Sequence, residues 1–258
     1  METLKNWKTW MIATSAATLM WSCAENEDTQ IVEGESQVTI SATVGNSTDD
    51  PNARISNLVY GNFEITDVTI SIDNLKMMLK GQDKDKGKNK DKGKDKPSVI
   101  HIKEKDPVVL TLVEDGQIYV APVASGLAYN GVYGKVTFDL VKAMDVPEED
   151  DIYGNSVVTK ATWFGVPAVM YIDLEDEVVF QFNQGLEVEG SQELLLTFFM
   201  DKFLEGVSPT LVSDGNLDGL IEVGPNNEDG NGEAYEAILA NIKEALVFKN
   251  GDFKKEKK

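Results

Sequence analysis

Val38-Thr39-Ile40-Ser41-Ala42-Thr43-Val44 alternates apolar residues with serine and threonine over its whole length. Successive side chains of a β-strand point to opposite faces, so this period of two predicts a strand with one buried face. The alternation returns in Phe63-Glu64-Ile65 and in Val68-Thr69-Ile70-Ser71-Ile72, and it continues through residues 75–79. These segments predict a protein built from half-buried strands.

More strand-like segments follow at short intervals, at residues 99–102, 108–113, 117–123, 132–141, 156–164, 169–174, 178–182 and 194–199. Turn-forming residues separate several of them, for example Glu114-Asp115-Gly116 and Asn130-Gly131. Many short strands with turns between them favour a sandwich over alternating βαβ units. We therefore predict a mostly β fold, an antiparallel β-sandwich that covers residues 37–205.

The remaining region, residues 206–258, contains one helical pattern. Between residues 233 and 248 the apolar side chains recur at spacings of three and four and so share one stripe of a helix: Tyr235, Ile238, Leu239, Ile242, Ala245 and Leu246. We predict one C-terminal amphipathic helix that packs on the sandwich and precedes a basic tail at residues 254–258.

The formal charge of the 258 residues is -20, with 44 acidic against 24 basic side chains. Such a field repels nucleic acid and attracts divalent cations, so we expect no nucleic-acid partner. An acidic surface also keeps a protein soluble without any specific role. The chain has one cysteine and one histidine, which excludes an internal disulfide and disfavours Ser-His-Asp, Cys-His and histidine-rich metal chemistry. His101 lies in an alternating run and is expected to be an outward strand residue.

The first 22 residues have the features of an export signal. Lys5 and Lys8 precede an apolar stretch at residues 10–21, which is too short to span a bilayer. It ends in Ser22-Cys23, and here the chain resembles bacterial lipoprotein precursors, although Met20 and Trp21 depart from their usual pattern. The resemblance implies cleavage before Cys23, attachment of fatty acyl chains such as palmitate, and anchoring in outer-membrane lipid. The alternative is an ordinary secretory signal with an incidental cysteine.

Residues 23–36 read as an acidic tether. The cluster Ala24-Glu25-Asn26-Glu27-Asp28 resembles the surface-export signal of lipoproteins in some Gram-negative bacteria. The same charges could simply hold the domain away from anionic headgroups. The protein is thus expected at the outer membrane, facing either the outside or the periplasm.

Residues 81–97 contain seven lysines and four aspartates among glycines, and no apolar residue. A segment of this composition cannot offset its ordering entropy, so it predicts a disordered loop between two strands. The other interpretation is a basic arm for nucleic acid or anionic glycans, which the interleaved aspartates and the lack of arginine and aromatic residues disfavour.

Residues 63–70, Gly131-Val132-Tyr133-Gly134-Lys135-Val136, residues 178–182 and residues 190–199 together show a pattern of degenerate strands. This stretch, a little over half of the chain, resembles bacterial lipoprotein domains of unknown function that have a transthyretin-like (prealbumin-like) sandwich, a form akin to Ig-like sandwiches. The resemblance implies that Tyr133 packs under a loop at the start of its strand. It implies no activity, and the lysine-rich insertion is not part of the pattern.

One segment has the spacing of a metal-binding loop. Asp214-x-Asn216-x-Asp218-Gly219-x-Ile221 matches the first eight positions of an EF-hand loop, in which alternate oxygen-bearing residues point at Ca²⁺. Position twelve is Pro225 instead of a bidentate glutamate, so a complete EF-hand is not predicted. Glu222, or a second cluster at Asp229, Asn231 and Glu233, could close the shell. The hypothesis is a structural calcium site that fixes the junction of sandwich and helix; the alternative is an ordinary Asp/Asn/Gly turn.

For function, we expect a non-catalytic envelope or surface lipoprotein, a binding, adhesion or assembly module. Trp163-Phe164 and Tyr129 could stack on sugar rings in a carbohydrate-binding version, or could be core and hairpin residues. A carboxylate-based glycoside hydrolase is the alternative from another class, and it needs two carboxyls about 5–9.5 Å apart with one raised pKa. A third possibility is a lipoprotein-processed fimbrial subunit that polymerises by strand exchange.

Overall fold

The computed structural model describes residues 34–47, 58–80, 99–102 and 106–250. The predicted export signal, Cys23, most of the tether, the lysine-rich loop and the basic tail lie outside these residues. Fourteen strands lie within the described residues, labelled in chain order: β1 Glu35–Gly45, β2 Val59–Tyr60, β3 Phe63–Leu79, β4 Val99–His101, β5 Val108–Glu114, β6 Gln117–Ile118, β7 Ala121–Tyr129, β8 Gly131–Leu140, β9 Val157–Trp163, β10 Val166–Ile172, β11 Asp176–Val188, β12 Gln192–Phe199, β13 Ile221–Val223 and β14 Leu246–Asn250. The prediction of a mostly β fold is confirmed.

The smaller sheet has the strand order β14-β12-β1-β7. Its central strand, β1, contains the alternating segment, and Val38, Ile40, Ala42 and Val44 are at most 2% exposed. The intervening residues, at positions 39, 41 and 43, are only half-buried. The period of two therefore translates directly into a core face and an outer face.

The larger sheet has the main order β11-β8-β3-β9-β10-β13, with β2, β4, β5 and β6 attached beside β3 or β5. β3 is 17 residues long and pairs with β9 through Ile70 and with β8 from Ile72 onwards. A register shift next to Asn74, whose φ is 57°, accompanies the second pairing. This long strand is thus shared by two groups of strands, and its inner face carries much of the core.

Both sheets are mixed and not wholly antiparallel. β1 runs parallel to β12, and β10 runs parallel to β13. Parallel neighbours need long crossover connections, and β1 and β12 are indeed separated by most of the sandwich sequence. A periodicity of two is the same in both kinds of pairing, which is why the alternation predicted strands but not their relative direction.

The core lies between the sheets and extends to the C-terminal strand. Phe180 on β11 lies 5.9 Å from Phe138 on β8 and 5.5 Å from Phe248 on β14, measured between ring centroids. The edge strands of the two sheets therefore meet through aromatic contacts, and β14 completes the smaller sheet.

Tyr133 anchors the turn between β7 and β8. Its side chain is fully buried, and its hydroxyl donates a 2.8 Å hydrogen bond to the carbonyl oxygen of Tyr129. Burial raises the pKa of this phenol to about 12. The tyrosine therefore packs against the turn between β7 and β8.

The main helix, α2, spans Gly232–Ala245, and a single-turn helix, α1, spans Met200–Phe203. The buried residues of α2 follow the predicted stripe, at Tyr235, Ile238, Ile242 and Ala245. The helix ends three residues before the predicted Phe248, because Leu246 is extended (φ -89°, ψ 125°) and begins β14 opposite Phe198. Pairing with β12 thus overrides the continuation of the helical pattern. Among the described helices none is long and apolar enough to cross a membrane.

Candidate functional site

The predicted calcium loop folds around its first aspartate. Asp214 accepts hydrogen bonds from the amides of Asp218 (3.2 Å) and Gly219 (2.9 Å). The side-chain oxygen of Asn216 accepts a second bond from the Asp218 amide at 2.9 Å, and Asp218 in turn accepts one from Leu220. The three alternating oxygen-bearing side chains therefore lie along one tight turn, with Gly219 at φ +92°.

The second acidic cluster folds back onto this turn. The Asp229 carboxylate accepts from the amide of Asn216 at 3.2 Å and from that of Glu222 at 2.8 Å. Asn231 is 1% exposed and bridges the two arms, because its amide group donates to the carbonyls of Ser213 (2.8 Å) and Glu222 (2.7 Å). Five of the predicted metal-site residues, Asp214, Asn216, Asp218, Glu222 and Asp229, thus belong to one folded unit, the acidic loop (residues 213–231), whereas Glu233 lies on α2.

Negative charge accumulates in the acidic loop. Burial raises the pKa of Glu222, and the nearby carboxylates of Asp229 and Asp218 raise it further. In the described part of the chain, however, no three His, Cys, Asp or Glu side chains are grouped closely enough to hold a metal ion. The carboxylates described above face backbone amides, so a cation would have to compete with these hydrogen bonds.

Asp173 connects α2 to the larger sheet. Its two carboxylate oxygens accept a 2.7 Å hydrogen bond from the Tyr235 hydroxyl and a 3.2 Å bond from the Lys142 ammonium. The hydrogen bond from Tyr235 has the largest effect and lowers the pKa of Asp173, and the contact with Lys142 lowers it further. The helix that follows the acidic loop is therefore fixed to the end of β10 by an ionised carboxylate.

This contact predicts a dependence of stability on pH. A carboxylate whose pKa is lower in the folded state contributes stability above its unfolded pKa of about 3.9 and loses it as the pH falls through the folded pKa. We expect Asp173→Asn to reduce the midpoint of urea unfolding at pH 7 and to make little difference at pH 2. Glu236→Gln, an exposed acidic position on α2 next to Tyr235, serves as the control. Equal losses at both pH values would contradict the assignment.

Aromatic side chains gather where the β2–β3 and β9–β10 hairpins meet. Trp163 ends β9, is 6% exposed, and lies 4.1 Å from Phe63 between ring centroids. Phe164 occupies the next position, at the tip of the hairpin, and is 70% exposed with φ +49°. Its ring stands edge-on to Trp163 at 5.0 Å. Of the sugar-stacking candidates, Trp163 is thus a core residue, Tyr129 is half-buried against the core, and Phe164 is presented to solvent.

A cleft of about 290 Å³, here called the aromatic cleft, opens beside these rings. It is bounded by the β2–β3 turn, the end of β9, α1 and the segment after α1: Tyr60, Gly61, Asn62, Phe63, Trp163, Asp201, Leu204, Val207 and Pro209. Asn241 of α2 holds this wall in place by donating to the carbonyls of Phe203 (3.2 Å) and Glu205 (2.7 Å). The cleft is therefore lined by three separate parts of the sequence, at residues 60–63, 163 and 201–209.

Asp201 is the residue of this region that sequence reasoning missed. It is the second residue of α1, and its carboxylate accepts a 2.8 Å hydrogen bond from the Ser47 amide, together with one from the Ser47 hydroxyl. An aspartate after a run of apolar residues was the available signal, but one acidic residue among 44 carries little information. The exposed Phe164 was predicted as the last residue of the strand at residues 156–164, and Gly165 beside it was the available sign of a turn.

A second cavity, of about 260 Å³, lies on the outer face of the larger sheet. Its floor includes Val109 and Val158, and its rim includes Lys160 paired with Asp151. The aspartate, through this hydrogen bond, raises the pKa of Lys160. The rim thus carries an ammonium whose charge is already compensated.

Comparison with known proteins gives no match: no protein-family model, curated protein or solved structure corresponds to this chain. The resemblance to lipoprotein precursors and to transthyretin-like domains therefore stays a prediction from the residues quoted above.

Proposed function

We propose that this chain is an exported lipoprotein, anchored through Cys23 in outer-membrane lipid, whose sandwich is a non-catalytic binding, adhesion or assembly module. The export signal and Cys23 support the location. The exposed Phe164 supports the binding role and is the observation on which the proposal depends. Mass spectrometry of the mature protein should find Cys23 as the acylated N-terminus.

Phe164 is unfavourable for folding in two respects. A bulky side chain with positive φ is a conformational outlier that costs on the order of 1 kcal/mol or more. In addition, 70% of its surface remains in water. Asparagine or glycine would satisfy the turn without either cost, and this favours a contact of Phe164 with a ligand or partner.

The carbohydrate version of this proposal predicts that Phe164 stacks on a sugar ring. On a glycan array, we expect Phe164→Asn to reduce binding at least tenfold without lowering the melting temperature, because asparagine tolerates positive φ. Val120→Asn is the matched control, since Val120 is 64% exposed between β6 and β7. A blank array with the wild-type protein would remove the carbohydrate version.

We further propose that the acidic loop binds Ca²⁺ as a structural ion. Asp214, Asn216, Asp218 and Glu222 or Asp229 would supply hard oxygen ligands, and the accumulated negative charge favours a divalent cation. Extracellular calcium would occupy even a site with a Kd of about 10⁻⁴ M. The ion would stabilise the junction between β13 and α2.

Chelation tests the calcium proposal. EDTA should lower the melting temperature of the protein and added Ca²⁺ should restore it, because an ion that binds only the folded state stabilises it by mass action. Asp218→Asn should abolish the response, whereas Asp145→Asn, an acidic position outside the loop, should retain it. A melting temperature that ignores both EDTA and Ca²⁺ would end the proposal.

The position of β1 favours assembly by strand exchange as a second candidate function. β1 is inserted between β7 and β12, so its removal would leave two open strand edges and uncover the groove that holds Val38 and Ile40. Arg54, the only arginine, lies between β1 and β2 and permits a single cut by an arginine-specific protease. SDS-resistant ladders after this cut would support a fimbrial subunit; an unchanged monomer would oppose it.

A further inference from the structure

The aromatic cleft combines three aromatic rings with one carboxylate. Tyr60, Phe63 and Trp163 contribute to its wall, and all three side chains are otherwise packed in the core. Among the described residues that line it, Asp201 alone is charged. The cleft therefore brings the edges of a buried aromatic cluster and a negative charge into the same small space.

Asp201 has hydrogen bonds but no counter-cation. The Ser47 amide and hydroxyl orient its carboxylate, which retains further acceptor positions. Lys202, the next residue, pairs instead with Glu205 at 2.9 Å. In the described part of the chain no lysine, arginine or histidine nitrogen lies within 4.0 Å of Asp201. A cationic ligand would supply the missing partner.

We propose that the aromatic cleft binds a small organic ammonium group, such as the trimethylammonium of choline. Ammonium groups without strong hydration are attracted to the faces of tryptophan, tyrosine and phenylalanine, and aromatic cages recognise quaternary ammonium ligands in this way. The carboxylate adds electrostatic complementarity that a neutral sugar would not use. The volume of about 290 Å³ suits a headgroup better than an extended glycan.

This inference goes beyond the proposed function, since it concerns the cleft and not the exposed ring of Phe164. Either can fail alone: glycan or partner binding that depends on Phe164 is compatible with an empty cleft. Choline binding is likewise compatible with a blank glycan array.

Calorimetric titration with choline chloride tests the inference, and 3,3-dimethylbutan-1-ol, the uncharged carbon analogue, is the control ligand. We expect choline to bind with a Kd on the order of 1 mM and the neutral analogue at least tenfold more weakly. Asp201→Asn should weaken choline about tenfold, whereas Glu205→Gln, an equal change of charge outside the cleft, should not. Trp163→Phe keeps an aromatic ring whose attraction for a cation is weaker, so it should also reduce the affinity for choline. This variant tests the inference if Asp201→Asn does not fold.

Two results would overturn the inference. One is the absence of saturable binding at choline concentrations well above about 1 mM, and the other is equal affinity for choline and its neutral analogue. A further experiment distinguishes a lipid headgroup from a soluble ligand of the same chemistry. Retention on phosphatidylcholine vesicles that decreases in Asp201→Asn would indicate a lipid headgroup, and binding of free choline without that decrease would indicate a soluble ligand.

Discussion

Trp163→Ala is expected to lower the free energy of unfolding by about 3–5 kcal/mol, the range for removing a large buried aromatic side chain. Trp163 is 6% exposed, and its ring centroid lies 4.1 Å from that of Phe63. On the neighbouring strand β10, Val166 is paired with Trp163. Loss of the indole would leave a cavity at the end of the larger sheet, where two hairpins meet. Urea unfolding followed by circular dichroism measures the change.

Phe164→Asn is the matched control for this prediction, because it removes the adjacent ring at a position that is 70% exposed. It should destabilise the protein by no more than about 0.5 kcal/mol, because asparagine tolerates the positive φ and the lost ring is mostly exposed. A loss of less than about 1 kcal/mol in Trp163→Ala would contradict the assignment of Trp163 to the core. The contrast also matters for binding experiments, since a loss of binding in Trp163→Ala would report unfolding as readily as a lost contact.

Strand positions were predictable because a strand with one buried face alternates apolar and polar residues within a short segment. The segment 38–44 alternates, and the structure buries the same four apolar residues that the alternation selects. The stripe of α2 was visible for the same reason, at a period of 3.6. In both cases the information lies within a few neighbouring residues.

Pairing and direction were not predictable, because they depend on residues far apart in sequence. Nothing near Val38 indicates that β1 runs parallel to β12, more than 140 residues later. β14 illustrates the competition directly: Leu246 continues the helical stripe, but pairing with Phe198 makes it a strand. A local pattern cannot reveal which of two such interactions is stronger.

The two candidate sites also differ in whether their residues are close together in the sequence. The acidic loop is contiguous in sequence, so the spacing of its oxygen-bearing residues could be recognised from the sequence alone. In the structure, hydrogen bonds from backbone amides to the carboxylates of Asp214 and Asp229 hold the loop together. The aromatic cleft draws residues from three segments far apart in sequence, and Asp201 becomes a candidate binding residue only because the fold places it beside Ser47 and the rings. Discontinuous sites of this kind leave no spacing signal.

Gly215→Ala should destabilise the protein by roughly 3 kcal/mol, because the acidic loop has no room for a methyl group at this position. An added Cβ would lie 2.1 Å from the carbonyl oxygen of Asp229, a backbone atom that cannot rotate away. The two arms of the loop would have to separate, which would break the hydrogen bonds from Asn216 and Glu222 to the Asp229 carboxylate. Thermal and urea unfolding measure the loss.

Gly126→Ala is the control, since a Cβ on this β7 residue would make only ordinary contacts, the nearest at 3.5 Å from the Ile102 carbonyl oxygen. It should change stability by less than about 1 kcal/mol. The pair of variants also bears on calcium. If the loop binds the ion in its closed form, Gly215→Ala should lose the response of the melting temperature to Ca²⁺ while Gly126→Ala retains it. If Gly215→Ala were as stable as the wild type, the two arms would not be in contact, and the proposed ligand set would be separated.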